Sequence, residues 1–292
     1  MGKLRVLIFN VEQGFCAFIR TPNDYTLLID CGSTQSFSPI KYIAENELVG
    51  AKTYNGHKLT KFVLSHPHDD HLTDIERLKG DLSPGIMKRH IYNWDDVKTG
   101  DKDLYHNLDV YSGWQKSYNQ SLSSTPDWGA NIYHGESLTP EEAKLLGKGC
   151  FVNNSSISTF IEYKNWKISF HGDLESNAWI ELLKNDNFKN SIANSSFFVA
   201  SHHGHSSGFC KEIFQTMGKP HFNIVSANSG DESIEPSYSK PEYSRGVAYN
   251  NKTRYMFSTR SEGHILLEID EEGKATFDFL KIDDNLVDGV FW

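Results

Sequence analysis

The chain has 292 residues, a formal net charge of −9 and a sequence pI near 5.8, with 38% hydrophobic and 13% aromatic content. That apolar fraction is enough for a globular core, in one large domain or two small ones. The acidic balance excludes a non-specific duplex-DNA binder, which needs a basic face. No apolar run approaches the roughly 18 residues that a membrane helix requires, so no membrane association is expected. The first residues lack the apolar core and cleavage site of a signal peptide. Cys16, Cys31, Cys150 and Cys210 are scattered, without C-x-x-C spacing. They read as ordinary packed thiols of a reduced, cytoplasmic chain.

Three short strands are expected first, at Leu4–Phe9, Phe15–Arg20 and Tyr25–Asp30, with turns at Glu12-Gln13-Gly14 and Thr21-Pro22-Asn23-Asp24 between them. The third ends on Asp30-Cys31-Gly32. A helix is expected over Pro39–Val49. Lys61-Phe62-Val63-Leu64 then reads as a buried strand. It runs directly into Ser65-His66-Pro67-His68-Asp69-Asp70-His71, an H-x-H-x-D-H array. Leu72–Leu78 reads as a helix. Imidazole and carboxylate together suit zinc, manganese or iron. The array falls on a tight turn at the carboxyl end of a strand, where active sites of α/β sheets open. A solvated polar turn would need neither the strand nor the helix in fixed register. The acidic surface does not exclude nucleotides, because two divalent cations would bring about four positive charges to a phosphate.

From about residue 80 to 130 the chain changes character and reads as a partly helical insertion near the mouth of the site. Its aromatics Tyr92, Trp94, Tyr105, Tyr111, Trp114, Tyr118 and Trp128 are expected to form a small core of their own; stacking on bases is the alternative. Strands return at Ile157–Tyr163, Trp166–Phe170, Ser196–Ala200, His221–Ala227, Arg254–Phe257, His264–Ile269 and Ala275–Leu280, with a hairpin at Lys164-Asn165. Helices are expected near Ser176–Lys184, Cys210–Met217 and Pro241–Tyr249. No internal repeat or low-complexity tract is present, and residues 1–292 read as one domain. Two of the later strands end on metal-type residues: Phe170-His171-Gly172-Asp173 offers Asp173, and Ser201-His202-His203-Gly204-His205 offers up to three imidazoles.

Together these segments resemble the metallo-β-lactamase superfamily, and more narrowly the hydrolase domain of DNA-uptake competence proteins, the ComEC-like branch. The matching pieces run in family order: Asn10–Gly14, Leu27–Gly32, Leu64–His71, Asn153–Ser156, Gly172-Asp173, His202–Gly204 and Ser258–Ile265. Any one piece is weak; seven in order are specific. The resemblance covers almost the whole chain except the insertion. It implies an α/β fold, a four-layer αββα metallo-β-lactamase sandwich, free-standing here, with two divalent metal ions, zinc or manganese, at one edge of the sheets. By the same resemblance His66 and His68 hold the first metal, Asp70 and His71 the second, and Asp173 bridges both. His202, first after its strand, completes the second site, leaving His203 to substrate or support. Asp30 orients a ligand histidine from behind.

The sequence also departs from the family. Many members carry a further histidine between the array and the bridging aspartate, which completes the first metal. No clear match is present; His134 is the nearest alternative, and it lies ahead of the relevant loop. His205 stands where the branch more often has serine.

Asn154, Ser155 and Ser156 are read as donors to a substrate oxygen or as caps of a turn. His264 either faces the site or is structural. Arg245, Lys252, Arg254 and Arg260 read mostly as surface charges.

The resemblance implies metal-assisted hydrolysis by a hydroxide activated on a dinuclear centre, polarised by Asp70 and Asp173, with His203 or His205 as proton donor. The leading expectation is a phosphodiesterase or nuclease acting on nucleic acid or a nucleotide. The alternatives are a carbonyl hydrolase acting on a lactone, ester, thioester or β-lactam, and a metal-bound regulatory module without turnover. A protein partner or a second copy of the chain is left open.

Overall fold

The computed structural model describes residues 2–50, 52–98, 105–119, 125–228 and 233–281. Parts of the expected insertion, residues 99–104 and 120–124, lie outside these. The chain opens with β1 (Leu4–Ile8), β2 (Ala17–Arg20), β3 (Thr26–Ile29), α1 (Pro39–Glu45), β4 (Lys61–Val63), α2 (Ile75–Asp81) and β5 (Ile86–Lys88). Then come α3 (Trp94–Val97), α4 (His106–Trp114), β6 (Asn131–His134), α5 (Pro140–Leu145), α6 (Phe151–Asn154), β7 (Thr159–Tyr163) and β8 (Trp166–Phe170). The second half holds α7 (Ser176–Leu182), α8 (Asp186–Ile192), β9 (Phe197–Val199), α9 (Lys211–Met217), β10 (Phe222–Val225), β11 (Val247–Tyr249) and β12 (Lys252–Arg254). It closes with β13 (Met256–Ser258), α10 (Thr259–Glu262), β14 (His264–Ile269) and β15 (Ala275–Leu280).

Two mixed sheets form, ordered β15-β14-β1-β2-β3-β4-β5 and β13-β10-β9-β8-β7-β6. Period-two alternation decides what each strand buries. In β1, Leu4, Val6 and Ile8 enter the core between the sheets, together with Ile168, Phe197 and Phe222 of the second sheet. Leu7 points the other way, into a second core with Ile40 and Ile43 of α1 and Ile75 and Leu78 of α2. A third core lies outside the second sheet, where Phe198 and Val225 meet Ala178, Trp179, Ile213 and Phe214 of α7 and α9. Helix, sheet, sheet and helix thus stack as four layers, the α/β architecture expected from the sequence.

The parallel pairs β3–β4, β8–β9 and β9–β10 position the site. The loops after β4, β8 and β9 leave at one edge and meet there.

Three expectations need correction. Pro241–Tyr249 is not a helix, because the backbone N–H groups of Arg245 and Gly246 donate to Pro220 and His221 carbonyls and draw the segment alongside a distant loop before β11. Arg254–Phe257 is divided between β12, which pairs with β11 in a separate two-stranded ribbon, and β13, at the edge of the second sheet. The aromatics of the insertion have no separate core: Tyr111 is buried, and Trp94, Tyr105, Trp114 and Tyr118 pack onto the outer core of the first sheet. Among the described residues no helix is long and apolar enough to cross a membrane.

Phe257 is fully buried between the sheets, edge-on to Phe222. Its truncation, Phe257→Ala, is expected to lower the unfolding free energy by about 3–5 kcal/mol, measured by urea denaturation, without changing the fold.

Candidate metal centre

β4 feeds Leu64 into the array, and the first anchor comes from the neighbouring strand end. Asp30, in the left-handed region at φ 56°, follows β3. Its Oδ1 accepts from the Ser65 backbone N–H at 2.7 Å, and its Oδ2 accepts from Ser65 Oγ and His71 Nδ1, each at 2.7 Å. His71 therefore carries its proton on Nδ1 and presents Nε2 to the cluster. Ser65 Oγ, donating to Asp30, accepts from His66 Nδ1 at 3.1 Å, which sets the same tautomer in His66.

Gly172, at φ 52°, lets the β8 loop approach this turn. A Cβ there would lie 2.7 Å from Ser156 Oγ and 2.8 Å from Ser65 Cβ. Ser156 Oγ accepts from the Asp173 N–H at 3.0 Å, fixing where the carboxylate enters.

Two donor groups result, and they share Asp173: Asp70, His71, Asp173 and His203 form one; His66, His68 and Asp173 form the other. His71 Nε2 lies 3.3 Å from His203 Nε2 and 3.4 Å from Asp173 Oδ1. His203 Nε2 lies 3.2 Å from Asp70 Oδ2 and 3.4 Å from Asp173 Oδ2. His66 Nε2 lies 3.7 Å from Asp173 Oδ2. Donors arranged tetrahedrally about one ion at about 2.0–2.2 Å stand about 3.3–3.6 Å from each other, so the spacing fits a metal. The His66 Nε2 atom is buried with no hydrogen-bond partner. An unsatisfied buried acceptor costs about 1–3 kcal/mol, which a cation at this point would remove.

Charge differs between the groups. Burial holds His66 well below the usual imidazole range, reinforced by neighbouring His71, and burial lowers His68 too. Burial would also lower His71 and His203, but Asp173 and the other carboxylates outweigh it. His71 rises well above its ordinary value, and His203 is pushed up to about 10. The same contacts overcome burial at Asp173 and keep its carboxylate well below the usual range.

The structure brings His203 into the cluster in place of the favoured His202. His202 and His203 are both left-handed, at φ 52° and 53°, and this double reversal turns the second ring inward. His202 keeps Nε2 3.9 Å from Asp173 Oδ2, and its Nδ1 pairs with Ser207 Oγ at 2.9 Å. His205 caps its own turn: its Nδ1 accepts from the Ser207 N–H.

Asn154 and Ser155 are fully buried and already partnered, so they do not face a substrate. Asn154 Oδ1 accepts from the Glu175 N–H, and Ser155 Oγ pairs with Tyr92 OH at 2.9 Å. His134 does not supply a missing ligand; its Nε2 sits 2.7 Å from Lys61 Nζ, and its Nδ1 pairs with Thr159 Oγ1. His264 is structural, with Nδ1 accepting from the Asn10 N–H and its ring packed on Phe9 and Phe37. Arg254 pairs with Glu262.

Sequence reasoning missed Cys150. Its Sγ lies 3.7 Å from His68 Nε2, whereas the other three cysteines are buried in the cores. The only signal in the sequence is its place three residues before Asn153-Asn154-Ser155-Ser156.

Residues 9–94 match the family model described as the metallo-beta-lactamase superfamily. The match supports that superfamily; it includes the array and stops short of Asp173. None of the curated proteins matches the chain in sequence. Among solved structures, the chain is similar to the metallo-beta-lactamase fold protein YhfI from Bacillus subtilis, with 16% identity over 77% of this chain and 86% of that one, at a TM-score of 0.44. It is similar to the metallo hydrolase Igni18 from Ignicoccus hospitalis, with 11% identity over 95% and 100% of the two chains, at a TM-score of 0.47. It is also similar to the diiron beta-hydroxylase CmlA from Streptomyces venezuelae, with 13% identity over 76% of this chain but 44% of that one, at a TM-score of 0.40.

Burial lowers His264 to about 4. The folded state thus resists a proton that the unfolded chain takes up near pH 6.5, so this residue's contribution to stability falls as pH drops from about 6.5 towards 4. His264→Asn, which keeps an acceptor near Nδ1, is expected to flatten that part of the stability–pH curve, measured by urea denaturation, and to leave metal content unchanged.

Proposed function

We propose that this chain is a dinuclear metallohydrolase that cleaves phosphodiesters in single-stranded nucleic acid or a small nucleotide. The observation that carries the reading is the sharing of Asp173 by two adjacent donor groups, the arrangement that suits two metals side by side. His66, His68 and Asp173 would hold one ion, and Asp70, His71, Asp173 and His203 the other. When bound, such a pair lowers the pKa of water from 15.7 to about 7 and offsets charge on the attacked and leaving oxygens.

The remaining steps belong to the protein. Asp30 holds His71 in one tautomer, and Ser65 does the same for His66. Asp70, the most exposed of the carboxylates, borders the opening. His202, oriented through Nδ1 by Ser207, is the residue placed to give a proton from Nε2 to a leaving oxygen. This exchanges the roles expected for His202 and His203. Most of the insertion's aromatics are committed to packing on the first sheet, and the chain is acidic, so a short or nucleotide substrate fits better than a long duplex. Four free thiols, three of them buried, fit a reducing, cytoplasmic setting.

The deciding assay is hydrolysis of bis-p-nitrophenyl phosphate with Mn²⁺ or Zn²⁺. Metal-dependent turnover that disappears in His68→Ala is expected. Cleavage of p-nitrophenyl acetate or a β-lactam instead, by the folded and metal-loaded protein, would replace this reading with carbonyl hydrolysis.

The two adjacent histidines separate in a second experiment. His203→Ala is expected to lose bound metal by elemental analysis. His202→Gln should retain it while kcat falls by about 10²–10⁴, the usual scale for a general acid. The opposite pattern would restore His202 as the ligand.

A further inference from the structure

Three basic side chains meet on one flank of the sandwich, away from the donor groups of the metal centre. In β4, Val63 enters the core between the sheets and Phe62 the outer core, so alternation turns Lys61 inward with Val63. In β5, Met87 joins the outer core, which leaves Ile86 and Lys88 on the inner face. Lys61 pairs with Ile86, so Lys88 stands on the same face two residues further along. From the opposite sheet, Ile132 of β6 and Ile161 of β7 border the core between the sheets. His134 and Thr159, paired with each other, are two residues from them and share their face. Lys61 Nζ meets His134 Nε2 at 2.7 Å across the gap, so the edge strands β5 and β6 bound the same flank.

The tautomer follows from the contacts. His134 Nδ1 donates to Thr159 Oγ1 at 3.0 Å, and Nε2 accepts from the Lys61 ammonium. Burial and the Lys88 charge lower Lys61 to about 8, and burial with both lysines holds His134 well below the usual imidazole range. Among the described residues no carboxylate pairs with either ammonium, and Lys88 Nζ has no hydrogen-bond partner. The chain has 38 acidic against 29 basic residues, so this flank is a local reversal of its charge. Two ammonium groups on one half-buried face repel one another, and a neutral imidazole does not compensate them.

We propose that Lys61, Lys88 and His134 form a phosphate-binding site on this flank, separate from the metal centre. A dianion between the two lysines takes N–H donors from both and turns their repulsion into attraction. Thr159 fixes the imidazole, and the imidazole holds the Lys61 head inside the flank instead of letting it extend into water. The occupant is inorganic phosphate or the phosphate of a phosphomonoester, which offer the same dianionic oxygens. The inference does not rest on the metallohydrolase reading above.

The test uses the full chain, stripped of metal so that phosphate meets no cation. Inorganic phosphate, titrated by calorimetry at constant ionic strength, is expected to bind the wild type. Lys88→Met should weaken that binding by about ten- to a hundredfold, the range for losing a hydrogen bond to a charged group. Phosphate should also raise the urea midpoint of the wild type more than that of Lys88→Met, while chloride at equal ionic strength raises neither. A nucleoside monophosphate that binds with the same dependence on Lys88 would identify a phosphomonoester as the occupant; binding by inorganic phosphate alone would identify the free ion.

In the wild type alone, phosphate should slow acetylation of Lys61 and Lys88 by acetic anhydride relative to the other lysines, read by peptide mass. This holds even if a variant fails to fold. Phosphate binding equal in Lys88→Met and the wild type, labelling indifferent to phosphate, or equal protection by chloride would overturn the inference and leave the hydrolase reading standing.

Discussion

Asp173 is the constraint around which this edge of the molecule is organised. Its carboxylate is buried at the junction of the two sheets, and a buried charge is tolerated only when compensated. Compensation comes from imidazoles on two other loops: His71 after β4 in one sheet, and His203 after β9 in the other. The same residue therefore joins two parallel strand ends that share no hydrogen-bond ladder. Gly172 makes this possible by bringing the loop against Ser65 and Ser156. Its carbonyl then accepts from the His202 N–H at 3.0 Å, which ties the β8 loop directly to the β9 loop. Position, charge and backbone path at the site are thus one problem with one solution.

What was legible in the sequence follows from how local each signal is. The array was legible because its residues are contiguous and follow a run of β-branched and aromatic side chains that only a buried strand would use. β1, β8, β14 and β15 were legible from alternation and turn residues. The orientation of the His202–His203 pair was not, because it depends on two successive left-handed residues, a conformation that only a few per cent of non-glycine residues adopt even though histidine tolerates it better than most. Cys150 was not legible because the bonds that place it run through Glu175, twenty-five residues away. The false helix at Pro241–Tyr249 has the same cause: its backbone groups find partners at Pro220 and His221, a contact that sequence pattern does not encode.

The insertion shows a similar override. A run of tyrosine and tryptophan in a polar context is equally compatible with ligand stacking and with packing, since both bury a flat ring. The structure chooses packing: Trp94 meets Tyr111 edge to face, Trp114 meets Tyr118, and Tyr92 reaches Ser155 beside the Asn153–Ser156 turn. The insertion therefore acts on the site by propping the loop that carries Cys150 and by adding to the outer core.

The strained backbone at the site has a mechanical basis. Asp30, His202 and His203 each sit in the left-handed region without being glycine, at a cost on the order of 1–3 kcal/mol apiece. Such conformations last only where the surroundings over-determine them. Asp30 is held by its own N–H to the Val63 carbonyl and by three bonds to its carboxylate. The histidine pair is bracketed by bonds from the His202, Gly204 and His205 N–H groups to the Gly172, Ser201 and His202 carbonyls. Those bonds are anchored in turn on strands whose side chains fill the inter-sheet and outer cores. The apolar alternation of β3, β4, β8 and β9 thus stabilises more than the sheets: it supplies the rigidity that holds six imidazole and carboxylate groups within a few ångströms of one another, which no flexible polar turn would sustain.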